Sequence, residues 1–224
     1  MVIFPHPDDE TVATGGLLLT ANKLGWRTIV VTLTKGDAGK CFVNKHGKTL
    51  SQIRSEELKK ATNLLKVDRL VIGNFKDAKL KGSKEDLKNY AINVIQDEKP
   101  DIIVTYDHSG FTGHPDHIQL SVSVLGILKG LHKKIDLYWV SAPKFLANLV
   151  FNKETIENYV EPTDMIFLGF NILTKIKACL AHKSQDVGSM NILLYLYLAI
   201  FHREWYYKVD LKKTYKYKFV DFKI

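Results

Sequence analysis

The run RTIVVTLT, Arg27 to Thr34, is the most strand-like stretch of the chain. It is dense in β-branched residues, which pack well on a pleated surface. Working outward from it, Asp9 to Leu24 has a helical pattern stopped by Gly25, and Met1–Phe4 reads as a preceding strand. On the other side, Lys35–Gly47 is a glycine-containing loop, followed by a helix over Thr49–Leu65. That helix is capped by Thr49 or Ser51 and is apolar on Ile53, Leu58, Ala61, Leu64 and Leu65. Arg69–Ile72 is a third strand. Ser83 is read as the cap of a helix that runs to about Asp97 and stops before Pro100. Asp101–Tyr106 is a fourth strand, His114 to about Lys129 a helix, and Ile135–Val140 a fifth strand. This alternation predicts an α/β fold: a mostly parallel twisted sheet, helices on both faces, right-handed crossovers. The working strand order is 3-2-1-4-5. Beyond Ala142 helical stretches dominate, at about Ile172–Ser184 and Asn191–Arg203. A tail then alternates lysine with aromatics at Lys212, Tyr215, Lys216, Tyr217, Lys218 and Phe219. Residues 1–224 are read as one domain, with 1–142 as the α/β core and 143–224 as additions that close the site.

The totals narrow the function classes. A chain of 224 residues with 46% hydrophobic and 25% charged residues can bury a sizeable core. Cys41 and Cys179 are far apart and form no paired motif, which fits a reducing cytoplasm. The N-terminus lacks the basic and apolar regions of a leader peptide. The apolar run Met190–Phe201 is shorter than the ~20 residues that span a bilayer, so a buried helix is expected and no membrane association. The net charge of +8 rests mostly on lysine, because the arginines are only Arg27, Arg54, Arg69 and Arg203. Phosphate-tracking surfaces lean on arginine, so the charge is read as a lysine-rich surface rather than a nucleic-acid footprint. The alternating tail reads as an edge strand guarded by lysines.

Two strings carry chemistry. His6-Pro7-Asp8-Asp9-Glu10 stands where the first strand gives way to the first helix. Ligands gather at the carboxyl ends of strands in open parallel sheets. Crowded carboxylates repel one another, and a cation relieves that repulsion. His6 and Asp9 are three apart, the spacing that puts two donors on one face of a helical turn. Asp8 then points elsewhere, available to hold a water. The competing reading makes Asp8 and Asp9 simple helix N-terminal acids.

His114-Pro115-Asp116-His117 follows the fourth strand and again opens a helix. If strands one and four are neighbours, both strings face one crevice at the topological switch point. Imidazole and carboxylate donors with a position left for water describe a catalytic zinc; magnesium prefers oxygen ligands, and iron(II) fits the same set. No glycine fingerprint follows the first strand, which excludes a dinucleotide fold.

With these residues in view, the sequence resembles the LmbE/PIG-L family of zinc-dependent N-acetylglucosaminyl deacetylases. The likeness is carried by PHPDDE (5–10), Arg54-x-x-Glu57 and GHPDH (113–117), together with the loop Thr34-Lys-Gly-Asp37-Ala-Gly39. Lys177-Ala-Cys-Leu-Ala-His182-Lys-Ser184-Gln185 extends it toward residue 207. The resemblance implies a Rossmann-like sheet and one zinc ion per chain held by His6, Asp9 and His117. It implies Asp8 as general base, His114 facing the oxyanion, and Asp116 orienting His114 and keeping it cationic. It places Arg54 near the substrate, an N-acetyl amino sugar, against the alternative of a surface ion pair with Glu57, and it implies a homo-oligomer, a trimer or hexamer. Asp37 in the glycine loop is read as a substrate contact, and Asp77, in the loop after the third strand, either as a contact to sugar hydroxyls or as a turn-forming residue. Thr112 stands where some members carry a carbonyl-polarising tyrosine, and Asp37 where glutamate is common. His182 is read either as closing the pocket or as a structural histidine at a helix end. The rival readings are a zinc amidase acting on a non-sugar amide and a catalytically silent metal- and sugar-binding module.

Overall fold

A computed structural model of the protein describes residues 1–131, 134–150, 158–185 and 202–215. The strands are β1 (Val2–Phe4), β2 (Ile29–Thr34), β3 (Arg69–Phe75), β4 (Ile102–Tyr106), β5 (Asp136–Ser141), β6 (Asp164–Phe167) and β7 (Arg203–Lys208). The helices are α1 (Asp9–Lys23), α2 (Leu50–Leu64), α3 (Lys84–Glu98), the short turn α4 (Gly110–Gly113), α5 (Pro115–Gly130), α6 (Lys144–Val150) and α7 (Asn171–Cys179). The order along the sheet is β3-β2-β1-β4-β5-β7-β6, which contains the expected 3-2-1-4-5 run.

The chain divides into two compact units. The first comprises Val2–Asp77 and Met165–Glu204. Here β1 pairs parallel with β2 (Val2↔Val30, Phe4↔Thr32), and β2 pairs parallel with β3 (Ile29↔Arg69, Thr32↔Ile72). Every residue of β2 is buried, as its unbroken apolar and threonine composition demands. Thr49 caps α2 in a full capping box with Gln52, so the sequence placed this helix start correctly.

Within this unit α1 is entered by a buried ion pair. Lys175 Nζ donates to Val12 O at 2.7 Å and to Glu204 Oε1 at 2.6 Å. Glu204 in turn accepts from the Gly16 N–H (2.7 Å) and the Leu17 N–H (2.8 Å). The Val12 carbonyl and the Gly16 and Leu17 amides of α1 thus each meet a charged side chain. Lys175 and Glu204 are 1% and 5% exposed, a burial that charged groups tolerate only when fully bonded.

The second unit comprises Met1, Ala78–Asp164 and Trp205–Ile224. β4 and β5 pair parallel (Ile102↔Asp136, Tyr106↔Val140), and β5 pairs antiparallel with β7 (Trp139↔Tyr207). Met1 is tied to β4 by its terminal amine to Ile102 O (2.9 Å) and by the Val104 N–H to its carbonyl (3.0 Å).

Several expectations need correcting. Ser83 precedes α3 but its side chain makes no cap bond; Glu85 and Asp86 in the first turn complement the helix dipole instead. His114 is not within α5 but caps it from outside, with Pro115 at the first helical turn. The helix expected to reach Ser184 ends at Cys179. Arg203, expected at a helix end, begins strand β7. β6 and α6 were not anticipated, because neither has a strong periodic pattern. The Asn191–Phe201 part of the other late helix, the Met190–Phe201 run and tail residues 216–219 lie outside the described residues, as does the side chain of Thr112.

Gly16 packs where no side chain fits: a Cβ there would stand 1.5 Å from Leu168 Cδ2 and 3.0 Å from Glu204 Oε1. Gly16→Ala is therefore expected to destabilise the protein by about 1–3 kcal/mol, even though alanine is the better helix former. Urea unfolding of the two proteins checks this; an alanine variant as stable as the parent would contradict the packing.

Candidate active site

The two strings belong to different compact units. In the first unit, the turn after β1 carries Pro5-His6-Pro7 into Asp8, and α1 begins at Asp9. His6 is thus outside the helix, and a turn rather than a helical face brings it to Asp9. Asp9 Oδ2 accepts the His6 backbone N–H at 2.9 Å and lies 3.5 Å from His6 Nδ1. His6 Nε2 is 3.0 Å from Asp77 Oδ1. Asp77 reaches back from the loop after β3, and its second oxygen accepts from the Ala38 N–H at 3.1 Å. Burial alone would raise the Asp77 carboxyl, but the hydrogen bond and charge of His6 outweigh it and hold the group down at about 2.

Asp8 has φ of 107°, a conformation that costs a non-glycine residue about 1–3 kcal/mol. Its own side chain makes no cap bond. The carboxylate instead pairs with Arg54, Nη2 to Oδ2 at 3.2 Å, and stays partly open to solvent. Desolvation pushes the Asp8 carboxyl up to about 6, with Asp9 and Glu10 adding to the rise and Arg54 and His182 opposing it.

Arg54 is buried, and its guanidinium holds two loops at once. Nη2 donates to Pro7 O at 2.6 Å, and Nη1 donates to Gly36 O at 3.0 Å. Gly36 has φ of 66°, and a Cβ there would fall 2.2 Å from Arg54 Nη1, so only glycine serves. Glu57 bonds Ser184 through both oxygens, at 2.7 Å to its N–H and 2.6 Å to its Oγ. Asp37, in the same loop as Gly36, is exposed.

Glu10 is fully buried and links the string to the segment after α7. Its Oε2 accepts the Asp8 N–H at 3.0 Å, and its Oε1 lies 2.9 Å from His182 Nε2. Burial pulls the His182 pKa down, but the Glu10 carboxylate beside it more than compensates and holds it above the ordinary value. The lysine buried in this region is Lys175; Lys177, which the resembling segment begins with, is exposed.

In the second unit, His117 Nδ1 lies 2.9 Å from Gly110 O. A carbonyl only accepts, so Nδ1 carries the hydrogen and Nε2 keeps its lone pair for a ligand. The ring stacks on Tyr106 with centroids 4.3 Å apart and planes 10° apart. His114 Nδ1 accepts the Asp116 backbone N–H at 3.2 Å, which puts the proton of a neutral ring on Nε2. The His114 and His117 rings are 5.0 Å apart. The buried Asp116 carboxylate accepts the Leu80 N–H at 3.1 Å, so this residue ties the start of α5 to the segment before α3. The turn before α5 is shaped by Asp107, which accepts from the Ser109 N–H (3.0 Å), Ser109 Oγ and the Val160 N–H (3.3 Å). Burial pushes the Asp107 carboxyl up to about 7, against those hydrogen bonds.

The structure brings His6, Asp8, Asp9, Asp77 and Arg54 together within the first unit, and His114, Asp116 and His117 together within the second. The sequence reading did not anticipate Asp107 or the bond between Glu10 and His182. Glu10 was visible as the last residue of PHPDDE; Asp107 had no pattern to mark it.

Arg54→Ala is expected to cost at least about 2 kcal/mol, because it leaves buried carbonyls without their charged donor. Arg54→Lys would recover only part of this, since an ammonium cannot span the fork; denaturant midpoints of the three proteins check both. His182 has its pKa raised on folding, so its pairing contributes fully below pH 6.5 and fades as pH rises through the folded value. The melting-temperature gap between wild type and His182→Gln should accordingly shrink with rising pH. A gap that is constant or widens would contradict the ion pair.

Comparison with known proteins bears on these clusters. The family model described as PIG-L, GlcNAc-PI de-N-acetylase, matches residues 1–128, which include both strings. A Bacillus anthracis protein named as a probable N-acetyl-α-D-glucosaminyl L-malate deacetylase 2 is 30% identical over 121 residues, covering 52% of this chain and 53% of its own. The chain thus matches about half the length of that curated relative. Among solved structures, N,N'-diacetylchitobiose deacetylase from Pyrococcus horikoshii superposes with a TM-score of 0.74 at 20% identity, covering 94% of this chain and 83% of that one. GalB, the 4-carboxy-2-hydroxymuconate hydratase of Pseudomonas putida KT2440, superposes at 0.70 with 16% identity, covering 97% and 98%. A deacetylase and a hydratase share this architecture, so the two superpositions speak to fold alone. The family match spans more than half of the chain and contains its chemistry-bearing strings, and the protein belongs to the PIG-L (LmbE) family.

Proposed function

We propose that the protein is a metal-dependent hydrolase that removes the acetyl group from an N-acetylglucosamine derivative. The observation that carries this reading is the family match over residues 1–128, which takes in both His-Pro-Asp strings. The donor chemistry fits a divalent ion of the zinc or iron(II) type. With Nδ1 committed to Gly110 O, the neutral His117 ring carries its lone pair on Nε2, the donor form a metal ligand needs, and the other string supplies an imidazole and carboxylates. The ligands we assign are His6, Asp9 and His117, with zinc as the ion. Such an ion supplies Lewis acidity, which eases deprotonation of water and polarises a carbonyl.

The protein's own groups do the rest. Asp8, with a carboxyl near 6, is mostly ionised at neutral pH and accepts the proton of the attacking water. His114 presents Nε2–H to the oxyanion that forms as the carbonyl becomes tetrahedral. Asp116 fixes the His114 ring through its backbone N–H. Collapse then expels the amine, which takes up a proton, and acetate and the free amino sugar depart. Arg54 supports Asp8, and its contact with substrate is part of the proposal, as are those of Asp37 and Asp77. No helix among the described residues is long and apolar enough to cross a membrane. Cys41 and Cys179 are unpaired, which supports a cytoplasmic setting.

The test is acetate release from N-acetylglucosamine, its disaccharide and a glucosaminyl-malate analogue. Wild type should release acetate, lose the activity to a chelator and regain it with zinc. Asp8→Ala should lower kcat by about 10²–10⁴-fold with metal content unchanged. Metal-loaded wild type that releases acetate from none of the three would remove the amino-sugar reading and favour a non-sugar amide or a silent binding module.

A further inference from the structure

We propose that Glu10 and His182 act together as positioning residues for Asp8, fixing the backbone from which its carboxylate is presented; this rests on the deacetylase reading above. Asp8 is the one residue in its string with a strained backbone, φ 107°, and it has no side-chain cap bond to hold it there. Its carbonyl is occupied by the Thr11 and Val12 amides, both at 3.1 Å, so that end belongs to α1. The amide end is free to swing unless something outside the helix ladder takes its hydrogen. Glu10 Oε2 does so at 3.0 Å.

Glu10 alone would be a poor anchor. A carboxylate with no exposed surface either finds a charged donor or gives up its charge. His182 Nε2, 2.9 Å from Oε1, is that donor; since the carboxylate oxygen accepts, Nε2 carries the hydrogen. The ring comes from the segment after α7, 172 residues along the chain, and is itself buried. A single line of hydrogen bonds then runs from the His182 ring through the Glu10 carboxylate to the Asp8 amide. At the other end of Asp8, Arg54 Nη2 holds the carboxylate at 3.2 Å. The residue is gripped at both ends, by Glu10 at its amide and by Arg54 at its carboxylate. A general base works only within hydrogen-bond reach of the proton it takes, and a shift of about 1 Å can cost about 10²-fold in rate.

The experiment compares wild type with His182→Ala, His182→Gln and Glu10→Ala, each as the metal-loaded full chain. The Gln side chain places a donor close to the Nε2 position, so it is the conservative replacement. His182→Ala is expected to lower kcat for acetate release by about 10–100-fold, with KM changed less than about threefold. His182→Gln should restore most of that loss. Metal content should stay at the wild-type level in both. Equal losses in Ala and Gln, or a kcat that does not move, would overturn the proposal. So would a fall that tracks lost metal. A second measurement needs no turnover: hydrogen exchange of the Asp8 amide, which should be slow in wild type and at least tenfold faster in His182→Ala and Glu10→Ala. Unchanged exchange overturns the dyad. If wild type binds metal and releases no acetate, the deacetylase reading fails by itself, and the exchange arm still decides whether Glu10 and His182 hold Asp8.

Discussion

The guanidinium of Arg54 is the fixed point of the first cluster. Its fork reaches Pro7 O, Gly36 O and Asp8 Oδ2, and so ties the turn after β1 to the glycine loop after β2. Neither loop has regular hydrogen bonding of its own at these carbonyls. A buried carbonyl without a donor costs free energy comparable to a lost hydrogen bond, so the loops take their shape from the one side chain that satisfies both. The planar, permanently charged fork matters here, because a lysine could reach one carbonyl but not set the angle between two. Asp77 adds a second tie across the same loop by bonding the Ala38 N–H while facing His6.

The second cluster is ordered by smaller means. His114 caps α5 with a ring nitrogen where a serine or aspartate oxygen is usual. His117 is held at Nδ1 by Gly110 O and on its face by Tyr106. These contacts set tautomer and ring orientation before any ligand arrives, which is what outer-shell partners do at metal sites. The Asp116 carboxylate accepts the Leu80 N–H, and its own N–H donates to His114 Nδ1, so this one residue fixes both the segment before α3 and the His114 ring.

What the sequence made legible was local. RTIVVTLT, the helix start at Thr49 or Ser51 and the two strings are read within a few residues; the structure settles the cap on Thr49. Ser83 misled because a good capping residue in the right position need not turn its hydroxyl inward. β7 was hidden because the apolar run just before it suggested a helix continuing to Arg203. Lys175 and Glu204 could not have been found: they are 29 residues apart, and nothing local marks either as buried. His182 stood out only through the resembling segment, and its partner Glu10 lies at the other end of the chain.

The buried Lys175–Glu204 pair beside Val12 and Gly16 has a consequence for how the sequence can change over generations. Lys175, Glu204 and the missing side chain at Gly16 satisfy one another, so none of the three has an independent optimum. Loss of the lysine strands a buried carboxylate, and loss of the glutamate strands a buried ammonium. The apolar substitute that would serve for the whole group serves for no single member of it. Descent from this sequence must therefore keep the trio intact or replace it in one event, and drift at these positions is closed.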